Sequence, residues 1–135
     1  MKKPMLVALA LAASAAWSAP VPPELDAALK NLKLQRRSLD NGVLRIVMDV
    51  RLVSPAMYST AVQLVCGERW TSEKAMASTR IDRIEVLNHV DAQGFAFPAG
   101  IKGCEQMGKM KTNESERFLQ SSAERCEAGV CRKRD

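Results

Sequence analysis

The sequence predicts an α+β domain, an antiparallel meander sheet of about four to five strands with an N-terminal and a C-terminal helix. Three observations carry this expectation. Asn41-Gly42 precedes a long stretch, Val43 to Val53, in which apolar and polar residues alternate. Apolar residues near both ends recur at spacings of three and four. Between these regions, short extended segments are punctuated by proline, glycine and aspartate.

The chain opens on a segment that reads as a secretory leader. Lys2 and Lys3 precede an apolar run from Met5 to Ala16, and the small residues Ala16 and Ser18 suit cleavage before Ala19. The run is shorter than the roughly 20 residues that span a bilayer. No cysteine precedes Cys66, so lipid attachment at a cut site is not expected. The expected organisation is a signal peptide, 1–18, followed by a single domain, 19–135, with no membrane span after cleavage. Such a domain can bury about two-thirds of its unfolded surface. Losing Lys2 and Lys3 lowers the net charge from +5 to +3. A periplasmic or secreted location follows, and with it no expected nucleic-acid partner.

The first element of the domain is a helix from Glu24 to about Leu32. Pro23 suits its first turn, and Leu25, Ala28, Leu29 and Leu32 form one stripe. Asn41-Gly42 supplies the positive φ angles of a type I′ turn, so its flanks should pair as a hairpin. In the strand after it, Leu44, Ile46, Met48, Val50 and Leu52 share one face, and Arg45, Asp49 and Arg51 the other. Ser54-Pro55-Ala56 is expected to break this strand. A second long strand is expected from about Thr60 to Trp70, with Val62, Leu64 and Cys66 on one face. Ser72 to Ser78 reads either as a helical turn or as extended chain. Ile81 to Val90 reads as a strand, Asp91 to Gly94 as a turn, and Phe95 to Phe97 as a strand closed by Pro98. The last helix is expected to be capped by Asn113, with Glu116 three residues on. Its inner stripe is Phe118, Leu119, Ser122, Ala123 and Cys126, and Gly129 is placed to end it.

The four cysteines, Cys66, Cys104, Cys126 and Cys131, read as two disulfides in an oxidising compartment, with three possible pairings. The pairing expected is Cys66–Cys104 with Cys126–Cys131. Cys126 and Cys131 are too far apart for the Cys-x-x-Cys of thiol oxidoreductases.

Few residues suggest reaction chemistry. His89 is the only histidine and lies beside an expected turn, and no Gly-x-Ser-x-Gly elbow is present. A multi-histidine zinc site is therefore excluded. Aromatic residues make up 4% of the chain, too few to favour a cleft that stacks sugars. Cys104, Met107 and Met110 are spaced by three, and sulfur ligands of this kind suit Cu(I). Against that, Cys104 is needed for a disulfide and methionines commonly fill cores. The expectation is no cofactor and no catalytic residue, with Met107 and Met110 the alternative metal ligands.

Asp40-Asn-Gly-Val-Leu-Arg45, the turn at Ser54-Pro55 and the stretch Leu64-Val-Cys-Gly-Glu-Arg69 resemble small secreted bacterial envelope proteins of the surface-adhesin E type. The resemblance covers about residues 38–70. Two further cysteines depart from that pattern, and Phe97-Pro98-Ala99-Gly100 stands where tryptophan and Pro-Gly are expected. The resemblance implies a non-enzymatic envelope or surface protein, in some members binding macromolecules, and Cys66 resembles the structural cysteine. The function expected is accordingly a protein- or surface-binding module with an envelope or surface macromolecule as partner. Arg45, Asp49 and Arg51 are the candidate contact face.

Overall fold

The computed structural model describes residues 18–133; the leader expected at 1–18 lies almost wholly outside them. The chain is an α+β protein with a mixed sheet of six strands and helices near both ends. The order is β1 (Ser18–Ala19), α1 (Pro23–Leu29), β2 (Leu34–Asp40), β3 (Val43–Met48), α2 (Pro55–Thr71), α3 (Glu73–Met76), β4 (Arg83–Leu87), β5 (Gly94–Phe97), α4 (Gly100–Met107), α5 (Thr112–Ser122), β6 (Glu124–Glu127) and β7 (Val130–Lys133). Strands β2 to β7 lie side by side in chain order, and the two-residue β1 adds a stub beyond β2.

The Asn41-Gly42 hairpin forms as its residues require. Asn41 and Gly42 have φ of 50° and 77°, and Asp40 pairs with Val43 across the turn. The alternating stretch is strand only as far as Met48. Leu44, Ile46 and Met48 face the core, whereas Leu52 lies beyond the strand and is 65% exposed.

The purely antiparallel meander is corrected at β3 and β4, which pair parallel, Arg45 beside Glu85 and Ile46 beside Val86. Parallel neighbours need a long crossover, commonly a helix. Residues 55–71 supply it, so the strand expected from Thr60 to Trp70 is helix α2. Ser54 accepts a hydrogen bond from the Met57 N–H at 3.1 Å, and Pro55 takes the first turn. The dipeptide read as a strand breaker is thus a helix start. Tyr58, Ala61, Val62, Val65 and Cys66 are buried at helical spacing, while Leu64 is only half-buried. Residues 73–76 form a helical turn, the first of the two options for that segment.

The C-terminal region is also corrected. The cap of α5 is Lys111, not Asn113, and the third helical residue, Glu114, bonds back to the Lys111 N–H. The helix ends at Ser122, so Cys126 belongs to β6. Ala128 and Gly129, with φ of 52° and 78°, form the turn of a β6–β7 hairpin. Gly129 therefore turns a strand rather than ending a helix. Residues 100–107 form α4, a helix not expected from the sequence. It opens on Gly100 at φ 55°, held against the loop before β4 by the Ile101 N–H bond to the Ile81 carbonyl, 2.9 Å.

One apolar cluster joins residues of all five helices, among them Leu25, Tyr58, Met76, Cys104 and Leu119, to one face of the sheet through Leu39, Leu44, Ile46, Ile84, Val86, Phe95 and Phe97. Helices therefore cover a single face, a two-layer arrangement. Cys66–Cys104 ties α2 to α4 inside this layer, with Cα atoms 5.0 Å apart. Cys126–Cys131 spans the β6–β7 hairpin. No helix among the described residues is long and apolar enough to cross a membrane.

Candidate functional site

The sheet face opposite the helices carries a connected set of charged side chains. Strand register sets Ser38, Arg45, Glu85, Ala96, Glu124 and Lys133 in one transverse row. Period-two alternation turns all of them away from the core. Arg45 donates to Glu85 Oε1 from Nη2 at 2.9 Å and from Nε at 3.2 Å. Arg83, one register step away on the same face, donates from Nε to Glu85 Oε2 at 3.0 Å. Its Nη2 lies 2.6 Å from Glu124 Oε1. The result is a chain of alternating charge, Arg45–Glu85–Arg83–Glu124.

Glu85 is the anchor of this chain and is only 8% exposed. Burial works against its charged form, but the hydrogen bonds and charges of Arg83 and Arg45 outweigh it and hold the carboxyl below its ordinary value. Arg83 also loses by burial, and its bonds to Glu124 and Glu85 raise it regardless. A carboxylate fixed as an anion, with both oxygens occupied, is poorly suited to proton transfer at neutral pH. Next to the polar row, Leu87, Ala96 and Cys126 form a small buried cluster, against which Cys131 packs. The Cys131 sulfur lies 3.8 Å from Glu85 Oε2.

Of the contact face expected from sequence, only Arg45 lies in this lattice. Asp49 and Arg51 follow the end of β3 and are exposed. Their backbone fixes a loop: the Asp49 N–H bonds to the Lys33 carbonyl at 2.7 Å, and the Arg51 carbonyl accepts from Asn88 Nδ2 at 2.9 Å. Buried Asn88 also accepts from the Ala92 and Gln93 N–H groups. Gln93 in turn bonds both backbone groups of Val53. His89 is exposed, and its Nδ1 lies 3.0 Å from the Val50 carbonyl. These residues pin two loops together.

On the helical side, Met107 lies 3% exposed in the core and Met110 packs against its margin. Both border an open groove of about 610 Å³ with Gln63, Trp70, Gly108, Thr112 and Ser115. Trp70 is fixed by its Nε1–H bond to the Cys104 carbonyl, 2.9 Å. Cys104 itself is bonded to Cys66. Nearby, the Ser59 hydroxyl bonds both Glu116 oxygens, at 2.8 and 3.0 Å, and Gln63 joins them, clasping α2 to α5. Among the described residues, no group of three His, Cys, Asp or Glu side chains is arranged to hold a metal ion. The Tyr58 phenol is pushed well above its ordinary value, by burial first and then by the charge of Glu124. It stays protonated in the core.

Sequence reasoning did not single out Glu85, Arg83 or Glu124. Arg83 and Glu85 alternate with Ile84 and Val86, which is a readable outward pattern. Their meeting with Arg45 depends on parallel pairing, which no local signal announces.

Comparison with protein-family models, with curated proteins and with solved structures finds no match. The reading of this chain rests on its own residues.

Proposed function

We propose that this chain is a non-enzymatic binding module of the periplasm or cell exterior. Its contact surface is the helix-free face of the sheet around Arg45. The observation that carries this reading is the fixed Arg45–Glu85–Arg83–Glu124 lattice on a face that no helix among the described residues covers. A preorganised array of alternating charge confers selectivity and register on an encounter more than raw affinity. The two disulfides suit an oxidising compartment, and the surface-adhesin E resemblance implies the same class. The partner proposed is an envelope or surface macromolecule.

Capture from an envelope extract tests this. The oxidised protein should retain a partner that Arg45→Glu loses, since the reversal sets two carboxylates side by side at positions 45 and 85. Full retention by a correctly folded Arg45→Glu protein would refute the proposed face.

A second reading, Cu(I) handling, draws on Met107 and Met110 bordering one groove. Competition with a Cu(I) chelator decides it. Binding that Met107→Leu and Met110→Leu abolish would establish this reading, and unchanged chelator saturation would end it.

A further inference from the structure

The sheet ends on β7, beyond which no strand pairs among the described residues. The direction of its free backbone groups follows from the hairpin. A two-residue turn makes Glu127 and Val130 a hydrogen-bonded pair, so alternation makes Cys126 and Cys131 a non-bonded pair. Their Cα atoms lie 3.9 Å apart, on the close side as such pairs are. Arg125 and Arg132 are then the next bonded pair, and Glu124 and Lys133 the next non-bonded one. The N–H and C=O groups of Cys131 and Lys133 therefore point outward, away from β6. Strand β7 is held in place for pairing by the disulfide to β6.

The charges at this edge are unbalanced. Arg125 and Arg132 stand directly opposite each other, a like-charged placement that costs stability. Arg125 is compensated by Glu127, with Nε to Oε1 at 3.3 Å. Among the described residues neither Arg132 nor Lys133 forms an ion pair, although Glu124, already paired with Arg83, stands opposite Lys133, and both cations are exposed. The polar lattice on the open face is balanced within itself, whereas this edge is not. A second copy of the chain is a poor occupant, because antiparallel pairing of two β7 strands would crowd their cations together.

We infer that the β7 edge is a strand-addition site for an extended acidic peptide segment, bonded through the backbone of Cys131 and Lys133 and neutralised by Arg132 and Lys133. Main-chain bonds supply affinity in this mode and the flanking side chains supply selectivity. The inference goes beyond the proposed open-face contact and stands on the β7 edge, sharing only Lys133 with the open-face row.

The test uses the oxidised protein and a capped valine-rich peptide with two adjacent glutamates, one on each face of the added strand, because Arg132 and Lys133 lie on opposite faces of β7. Amide hydrogen exchange is read by NMR. Peptide should slow exchange at Cys131 and Lys133 by about tenfold or more, since these groups leave solvent when a strand is added. The same peptide N-methylated at alternate residues keeps its charge but cannot pair, and it should give no protection. Arg132→Glu with Lys133→Glu should weaken binding by about tenfold or more. Three results would each overturn the inference: no protection at Cys131 and Lys133, equal binding by the N-methylated peptide, or equal binding by a valine–lysine peptide. Equal binding by the N-methylated peptide would leave only charge attraction, and the other two results would leave the cations only a guard against self-pairing. This assay reads the edge, and envelope capture by Arg45→Glu reads the open face, so either idea can fail alone.

Discussion

The two faces of the sheet are held by different physics. On the helical face, Leu44, Ile46, Ile84, Val86, Phe95 and Phe97 meet side chains from five helices in one apolar cluster. On the opposite face, Arg45, Glu85, Arg83 and Glu124 hold one another beside the small cluster of Leu87, Ala96 and Cys126. Packing on the first face tolerates little change, since voids there lose dispersion contacts on every side. On the second, the Arg45 and Arg83 side chains are both partly solvated, so one interaction can be replaced by water. The comparison teaches that apolar packing and charge pairing are separated across a single layer of strands.

Disulfide removal should show the largest difference between the regions. Cys66–Cys104 closes a separation of 38 residues inside the helical layer, and Cys126–Cys131 closes one of five at the sheet edge. Chain-entropy reasoning gives about 4 kcal/mol for the first and about 2 kcal/mol for the second. Denaturation of the paired alanine variants should reproduce that order. Equal losses would mean that the sheet edge contributes to the core more than its position implies.

Leu44→Ala, fully buried on the helical face, should cost about 3 kcal/mol in urea unfolding. Its neighbour on the other face, Arg45→Ala, should cost about 1 kcal/mol or less, because half of that side chain is solvated. Adjacent residues of one strand thus make a matched pair, and similar losses would break the contrast.

Glu85→Gln falls between them, at about 1–2 kcal/mol, since two arginines lose a charged acceptor. Acid sharpens this prediction. The folded carboxyl titrates below its ordinary value of 4.5. Its stabilisation is therefore present above that pH and is lost as pH falls through the lowered value. Urea midpoints of the native chain should fall more steeply than those of Glu85→Gln below about pH 4.5. Parallel acid limbs would show that the lattice contributes no linkage.

How much of this was legible in the sequence depends on how local each feature is. The Asn41-Gly42 turn, the Leu44–Ile46–Met48 alternation, Leu25 and Leu29, and the Phe95–Phe97 strand are written within a few residues, and each takes its expected form. Residues 60–70 were misleading because Val62, Leu64 and Cys66 satisfy a period of two, whereas Tyr58, Val62, Val65 and Cys66 satisfy a helix. Ser54-Pro55 fits a strand end and a helix start equally well. Tertiary demand decides: parallel β3 and β4 need a crossover. The Arg45–Glu85 pair, 40 residues apart, follows from that crossover and has no local signature. From the sequence Cys126 reads as the end of a helix, and two residues of positive φ at Ala128 and Gly129 instead turn a hairpin that the disulfide spans.

The central claim is that the helix-free face meets the partner while the helical face only supports it. Site-specific photo-crosslinking in the living cell tests this most directly, with the crosslinker at half-exposed Ser38, which neighbours Arg45 across β2 and β3, or at exposed Gln63 on α2. The account predicts a discrete adduct from position 38 and none from position 63. An adduct from position 63 with none from position 38 would contradict it.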